Sequence, residues 1–323
     1  MKHSLFLRIC QAACLLAFFF LLTHSSMILA YAKAGLSSWA CSVLPVLLPF
    51  IILSKFWIYY DIPQLFYSVA GRALPSHRQA ALCITVLLLG LSSGFPVGAI
   101  FVQHYYKEGI LPKRAAEELL PLCSFISPMF LLGYVHPLTG YHGITWILFV
   151  LSLYLPLFVC FPGVLRKTAD HTENKKYRHA VTGRKAALTE MPKTARPSSL
   201  RDIWLSSLEI IFTIGIYMML FSILFGLTLH EPLLHHTAAQ IVLSNLEITT
   251  GIAWLSEMSA LSGTVRGAVM AAAVSLGGLC TMAQVYSTTF SSDFSMRRYL
   301  FIKGKCAFLS SLLFFLLAEN VPG

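Results

Sequence analysis

The chain has 323 residues, 56% hydrophobic and 12% charged, with a mean hydropathy of +0.70. Soluble domains carry roughly 25% charged residues, so a water-soluble globular protein is excluded and an all-α integral membrane protein is expected. The net charge of +10 does not point to nucleic acid, because ten of the basic residues lie in one polar segment, Arg166–Arg201, instead of on a folded face.

In chain order, the first apolar stretch is Leu5–Leu29. Lys2 and Arg8 precede it and Ala30–Ala32 ("AYA") follows, so residues 1–32 read as a span or as a signal-like segment. Either reading places residue 33 outside. The next segments are Cys41–Tyr60, Ala80–Val102, Leu119–Val135 and Gly143–Pro162. After the basic stretch come Ile203–Leu229, Ala238–Met258, Val265–Thr289 and Tyr299–Ala318. About 20 apolar residues cross a bilayer. Gly143–Pro162 and Tyr299–Ala318 are plain spans, whereas Ala80–Val102, Leu119–Val135, Ala238–Met258 and Val265–Thr289 are interrupted by Gly, Pro or polar residues. The eight cysteines form no C-x-x-C pair and lie in or beside apolar runs, as small buried hydrophobes do. No metal site and no cofactor is expected from them.

Charge decides between topologies. Cytoplasmic loops are enriched in Lys and Arg, which puts the 166–201 loop inside. If all nine segments crossed, Lys2, Arg8, Arg72, Arg78, Arg297 and Arg298 would lie outside. If Ala80–Val102 and Ala238–Met258 instead enter and leave on one side, all 24 Lys and Arg except Lys33 and Arg266 fall on or near the inner side. This arrangement has about seven spans and two re-entrant helical segments. Its halves, residues 40–162 and 203–323 around a basic cytoplasmic loop 163–202, share one order with opposite orientation, the inverted-repeat plan of many secondary transporters. The loop's basicity also suits anionic lipid headgroups or protein contacts.

Irregular backbone at membrane depth is tolerated only where protein or a watery cavity surrounds it. "SGFPVG" holds Gly94, Pro96 and Gly98, a break that suits a re-entrant tip lining a site; the alternative is a kinked span with glycines used for packing. "SNLEITTG" holds Asn245, Glu247, Thr249 and Thr250. A carboxylate at this depth is a functional candidate, although Ser244-x-x-Glu247 also matches a capping box with a helix starting at Ser244. "LCSFISPMF" supplies Ser124 and Ser127. Thr281, Gln284 and Ser287 share one helical face, suited to a cavity or to interhelical hydrogen bonds. Lys303 and Lys305 are expected to snorkel; Asp61, Glu209 and Asp293 are expected at interfaces.

"LLGLSSGFPVGAIFVQHYYKEGILPKRAAEELLPLCSFISPMFLLGYV", "NLEITTG", "GGLCTMAQV" and "LPVLLPFIILSKF" together resemble the YlbJ family of sporulation integral membrane proteins, from about residue 40 to the C-terminus. That family has S-G-Y-P-V-G-A, F-C-N-x-x-G-P-L-F-I-I-G, L-E-I-T-x-G and G-G-L-S-x-x-A-Q-V in the same order. Here Ser124 stands for its Asn, Ser127 for its Gly and Met282 for its His. The resemblance implies a place among nucleoside-recognition gate-domain proteins and a setting in endospore formation, in envelope or cortex maturation, in a bacterial cell membrane.

The expected activity is movement of a small-molecule solute through a site where the two breaks meet, with Asn245 and Glu247 facing Gly94–Gly98 and with Ser124, Ser127 and Gln284 beside them. The alternative is a non-transporting scaffold or assembly factor. An enzyme is not expected: no H-E-x-x-H, G-x-S-x-G or paired intramembrane carboxylates occur, nor does a nucleotide P-loop. The sequence is compatible with a homo-oligomer.

Overall fold

The computed structural model describes residues 18–60, 78–107, 111–168, 199–229 and 236–319, with single positions elsewhere. Asp61, most of residues 1–17 and most of the basic loop (169–198) lie outside the described residues. The described chain is helical, and six of its helices are long and apolar enough to cross a membrane. Apolar helices satisfy their own backbone groups in lipid, so the chain is a multi-pass integral membrane protein.

The first of these runs from Ser25 to Trp57 without interruption: α1 (Ser25–Ser38), a π-turn at Trp39–Val43, and α2 (Leu44–Tyr59). Hydropathy divides this stretch at about residue 33, and the structure does not. "AYAKAGLSS" offers good helix formers and no proline, and it is held along α7 (Leu200–Thr228) by close backbone approach. A Cβ on Gly35 would meet Ser222 Cβ at 2.7 Å, one on Gly226 would overlap the Tyr31 ring, and Trp39 Nε1 donates to Ile211 O at 3.0 Å over Gly215. Lys33 therefore sits within a packed helix, not in an outer loop. The count of six is of the described residues; of the seven expected spans, Leu5–Leu29 lies partly outside them.

Next come α3 (Arg78–Ser93) and α4 (Val97–Lys107), separated by residues 94–96. Gly94 has φ +70° and the Phe95–Pro96 peptide is cis. A Cβ on Gly98 would lie 3.2 Å from Gly90 Cα, whereas eight residues of straight helix span ~12 Å. The chain thus folds back on itself, and neither arm alone reaches the ~30 Å thickness of a hydrocarbon core.

The third element is a broken span. α5 (Lys113–Cys123) ends at Ser124, and short helical turns continue over Pro128–Phe130, Leu131–Val135 and His136–Thr139. α6 (Gly143–Thr168) closes the first half.

The second half repeats this order. After α7 comes a second fold-back, α8 (Thr237–Leu243) and α9 (Ile248–Glu257), where a Cβ on Gly251 would collide with the Ser244 carbonyl. A second broken span follows, α10 (Gly263–Leu276) and α11 (Gly278–Thr289), split by Gly277 and Gly278 at φ +86° and +78°. α12 (Met296–Ala318) is last.

The broken spans run antiparallel. Lys113 and Glu117, at the start of one, pair with Asp293 and Arg298, just beyond the end of the other. Tyr141, just past the far end of the first, donates its hydroxyl to Gly263 O, at the start of the second, at 3.2 Å.

Candidate functional site

The four breaks meet in pairs. In the first half, the Phe95 N–H donates to Phe125 O at 3.2 Å, and Gly94 approaches Ser127 so closely that a Cβ would lie 2.9 Å from Ser127 Cβ. Ser127 Oγ accepts the Phe130 N–H at 3.3 Å and so caps the outgoing turn. In the second half, the Leu279 N–H donates to Asn245 O at 2.7 Å and the Cys280 N–H to Leu246 O at 2.9 Å. Each hairpin tip thereby satisfies backbone groups exposed by the neighbouring broken span, which is what irregular backbone away from water requires.

Two buried charges occupy these junctions. Glu247, 1% exposed, is the N-cap of α9. Its carboxylate accepts the backbone N–H of Thr249 at 3.0 Å and of Thr250 at 2.7 Å, and both threonine hydroxyls. The helix begins at Ile248, not at the Ser244 of the capping-box reading, and Glu247 takes the capping role itself. A carboxylate at a helix N-terminus is favoured both by the free N–H groups and by the dipole.

Lys303, also 1% exposed, does not snorkel. Its Nζ donates to Ser124 O at 3.0 Å and to Ser275 O at 2.7 Å and lies 4.7 Å from the Phe125 ring centroid. Ser124 is the C-cap of α5 and Ser275 lies in the last turn of α10. One ammonium thus occupies the negative ends of two helix dipoles and supplies protons to carbonyls that the helices leave free. Lys305 is exposed. Glu209 is exposed within α7, and Asp293 is a fully exposed residue just beyond the second broken span.

Between these junctions lies a cavity of ≈ 20 Å³, the size of one water. Phe95 and Phe130 border it from the first half; Glu247, Thr249, Thr281 and Gln284 border it from the second. Of the residues singled out by sequence, Glu247, Thr249 and Gln284 reach it. Gly94, Pro96, Gly98, Ser124, Ser127, Asn245 and Thr250 do not; they build the breaks around it. Asn245 turns its Nδ2 back to Ile241 O at 3.0 Å, and Thr250 lies 3.5 Å from Ser222 Oγ. The expected stripe divides, with Thr281 and Gln284 buried and Ser287 exposed. Phe95 and Phe130 were not among the sequence candidates, Thr281 was expected only as part of the polar stripe, and Lys303 only as a snorkelling lysine. Phe95 lies between two residues that were candidates.

Thr249 is also where other elements converge. Ser38 Oγ donates to its hydroxyl at 3.3 Å and Tyr134 OH to its carbonyl at 2.9 Å. At one end of the molecule, Glu117 accepts the Ser295 N–H at 3.1 Å and Arg298 Nη1 at 2.8 Å, joining the first hairpin's neighbour to α12. The six described cysteines are free; Cys160 and Cys306 approach to 3.7 Å between sulfurs, and Cys41 is exposed.

Comparison with known proteins gives one similarity. The chain is 33% identical over 129 residues to "Sporulation integral membrane protein YlbJ" of Bacillus subtilis (strain 168). The match covers 38% of this chain and spans about a third (31%) of that protein. No family model matches, and no solved structure matches.

Proposed function

We propose that this chain is a non-enzymatic solute transporter of endospore formation, in a bacterial cell membrane, with two inverted halves and a cytoplasmic central loop. The observation that carries the reading is the meeting of two fold-back hairpins and two broken spans around one cavity bordered by a buried carboxylate and a buried amide. Secondary transporters bind solutes near the bilayer midplane, at the repeat interface, between discontinuous helices. The antiparallel course of the two broken spans supports the inversion, and the partial similarity to a sporulation membrane protein supports the setting. Movement would be passive or coupled to an ion gradient, and the solute is a small polar molecule of the gate-domain kind.

The test is solute flux in proteoliposomes. Glu247→Gln is expected to reduce flux by at least tenfold while the protein stays folded; unchanged flux removes Glu247 from the mechanism.

The small cavity favours a second reading, a membrane scaffold for spore assembly, since a solute larger than water needs a wider opening than this conformation has. On that reading, replacing the basic residues of the 166–201 segment, which also suits anionic lipid, abolishes partner recruitment, and flux is absent in the wild type. Co-purification of partners with and without the segment distinguishes the two.

A further inference from the structure

From the cavity between Phe95 and Glu247, we infer that it is a binding site for one water-sized monovalent cation, held by Glu247 and Gln284. This deepens the transport reading, since it identifies the class of coupling ion, and it rests on that reading only for its role, not for its existence.

The inference comes from a census of donors and acceptors on the cavity wall. The hydroxyl hydrogens there and one amide hydrogen are already committed elsewhere. The Thr249 hydroxyl donates to Glu247, the Thr281 hydroxyl to Gly277 O at 2.7 Å, and Gln284 Nε2 to Cys280 Sγ at 3.3 Å. Two acceptors remain open. Gln284 is 3% exposed, and its Oε1 accepts no hydrogen bond. Glu247 Oε1 accepts only the Thr249 N–H, which leaves it a free lone pair, while Oε2 accepts three donors. The rest of the wall is apolar, including Phe95, Phe130 and Met218. A buried amide oxygen without a donor is a cost that needs an explanation at that position.

Charge separates a cation from a plain water. Among the described residues no Lys, Arg or His forms an ion pair with Glu247. The helix N-terminus answers about half an elementary charge, and a carboxylate at membrane depth calls for the remainder. A monovalent cation answers that remainder with about half a charge in excess. A second positive charge would add to the excess beside Lys303, which stands behind Gly277: a Cβ there would lie 3.0 Å from Thr281 Oγ1 and 3.7 Å from Lys303 Nζ. The ≈ 20 Å³ volume fits an ion of the size of one water. Hard oxygen ligands, a carboxylate and an amide carbonyl, match Na⁺, K⁺ or NH₄⁺.

The experiment is thermal unfolding of the full chain in detergent, at constant ionic strength, in NaCl, KCl, NH₄Cl or choline chloride. A ligand that binds the folded state alone raises its stability with concentration. One or more of the three small cations is expected to raise the melting midpoint by several degrees, saturably, over choline, and the ranking identifies the ion. Gln284→Leu is expected to abolish that increment without lowering the midpoint in choline, because it replaces an unpartnered acceptor by an apolar group of similar size. Glu247→Gln is expected to abolish it too, with a lower midpoint from the weakened cap. Equal midpoints in all four salts, the result for a site that holds only water, overturn the inference. So does an increment that survives Gln284→Leu, since it would arise elsewhere on the protein. The result is separable from transport: a cation increment in a protein that moves no solute leaves this site standing and removes the transport reading, and flux without any increment does the reverse.

Discussion

Lys303 and Glu247 are single residues that each stabilise a place where the backbone would otherwise be unsatisfied. The carboxylate sits where N–H groups are free and the ammonium where carbonyls are free, the only order that both hydrogen bonding and the helix dipole allow. For Lys303 two terms compete. Lys303→Met removes the cost of burying a charge but leaves Ser124 O and Ser275 O without a donor, each at ~1–3 kcal/mol. The second term is counted twice and the first is already reduced by the two dipoles and the Phe125 ring, so a net loss of about 2 kcal/mol is expected. Thermal unfolding of purified wild type and Lys303→Met measures it, with Lys305→Met, at an exposed position, as a control that stays near the wild-type value. An equal midpoint for all three would mean that the carbonyls find other donors. From sequence, Glu247 stood out because a carboxylate between apolar runs is rare. Lys303 did not, because a lysine four residues from the end of the span Tyr299–Ala318 satisfies the snorkelling pattern equally well; which free carbonyls lie within its reach is decided by two other helices.

At the level of elements, the breaks were legible and their pairing was not. Gly94, at φ +70°, and Pro96 locate the turn at 94–96 by local chemistry alone. That the chain folds back there, and that Phe95 bonds to Phe125, depends on close approaches between segments distant in sequence. Two glycines carry the tightest approaches, one between segments and one within a hairpin. A Cβ on Gly98 would overlap Cys123 O, and one on Gly251 would overlap Ser244 O across the second fold-back. Both neighbours are backbone atoms and cannot rotate away. Gly98→Ala and Gly251→Ala are each expected to lose ~1–3 kcal/mol, the usual range for overpacking a tight contact. Gly304→Ala, in the middle of α12 with no atom near its Cβ, is expected to gain ~0.5–1 kcal/mol from helix propensity. Melting midpoints of the three variants check the order: if Gly98→Ala and Gly251→Ala match Gly304→Ala, the junctions are looser than the structure describes. The single helix Ser25–Trp57 was missed at the same level. Hydropathy reads a lysine and a glycine as a boundary, and only packing against Gly215, Ser222 and Gly226 of α7 makes them interior positions.

The whole molecule is two four-part halves locked together at both ends and at the centre. At one end the lock is ionic, with Glu117 and Glu118 on Arg298 and Lys113 on Asp293; at the other it is neutral, with Tyr141 on Gly263. On the proposed topology the ionic end is cytoplasmic, since Lys107, Lys113, Arg114, Arg297 and Arg298 lie near it. Contact between the ends then fixes more than the census could. If residue 113 is inside, residue 293 is inside with it, and residues 142 and 259 lie at the opposite end. Charge chose the topology at both hairpins; the first folds back in the structure, but of its approach at residues 71–77 only Arg72 is described. Cysteine labelling resolves it. In a background with the native cysteines replaced, Ser76→Cys, Lys107→Cys and Asp293→Cys are expected to react with a membrane-impermeant maleimide only after the cells are opened, and His142→Cys and Ser259→Cys in intact cells. Labelling of Ser76→Cys and Lys107→Cys from opposite sides would mean that residues 78–107 cross the bilayer; the first half would then have an odd crossing that the second half lacks, and the inverted relation between them would be lost.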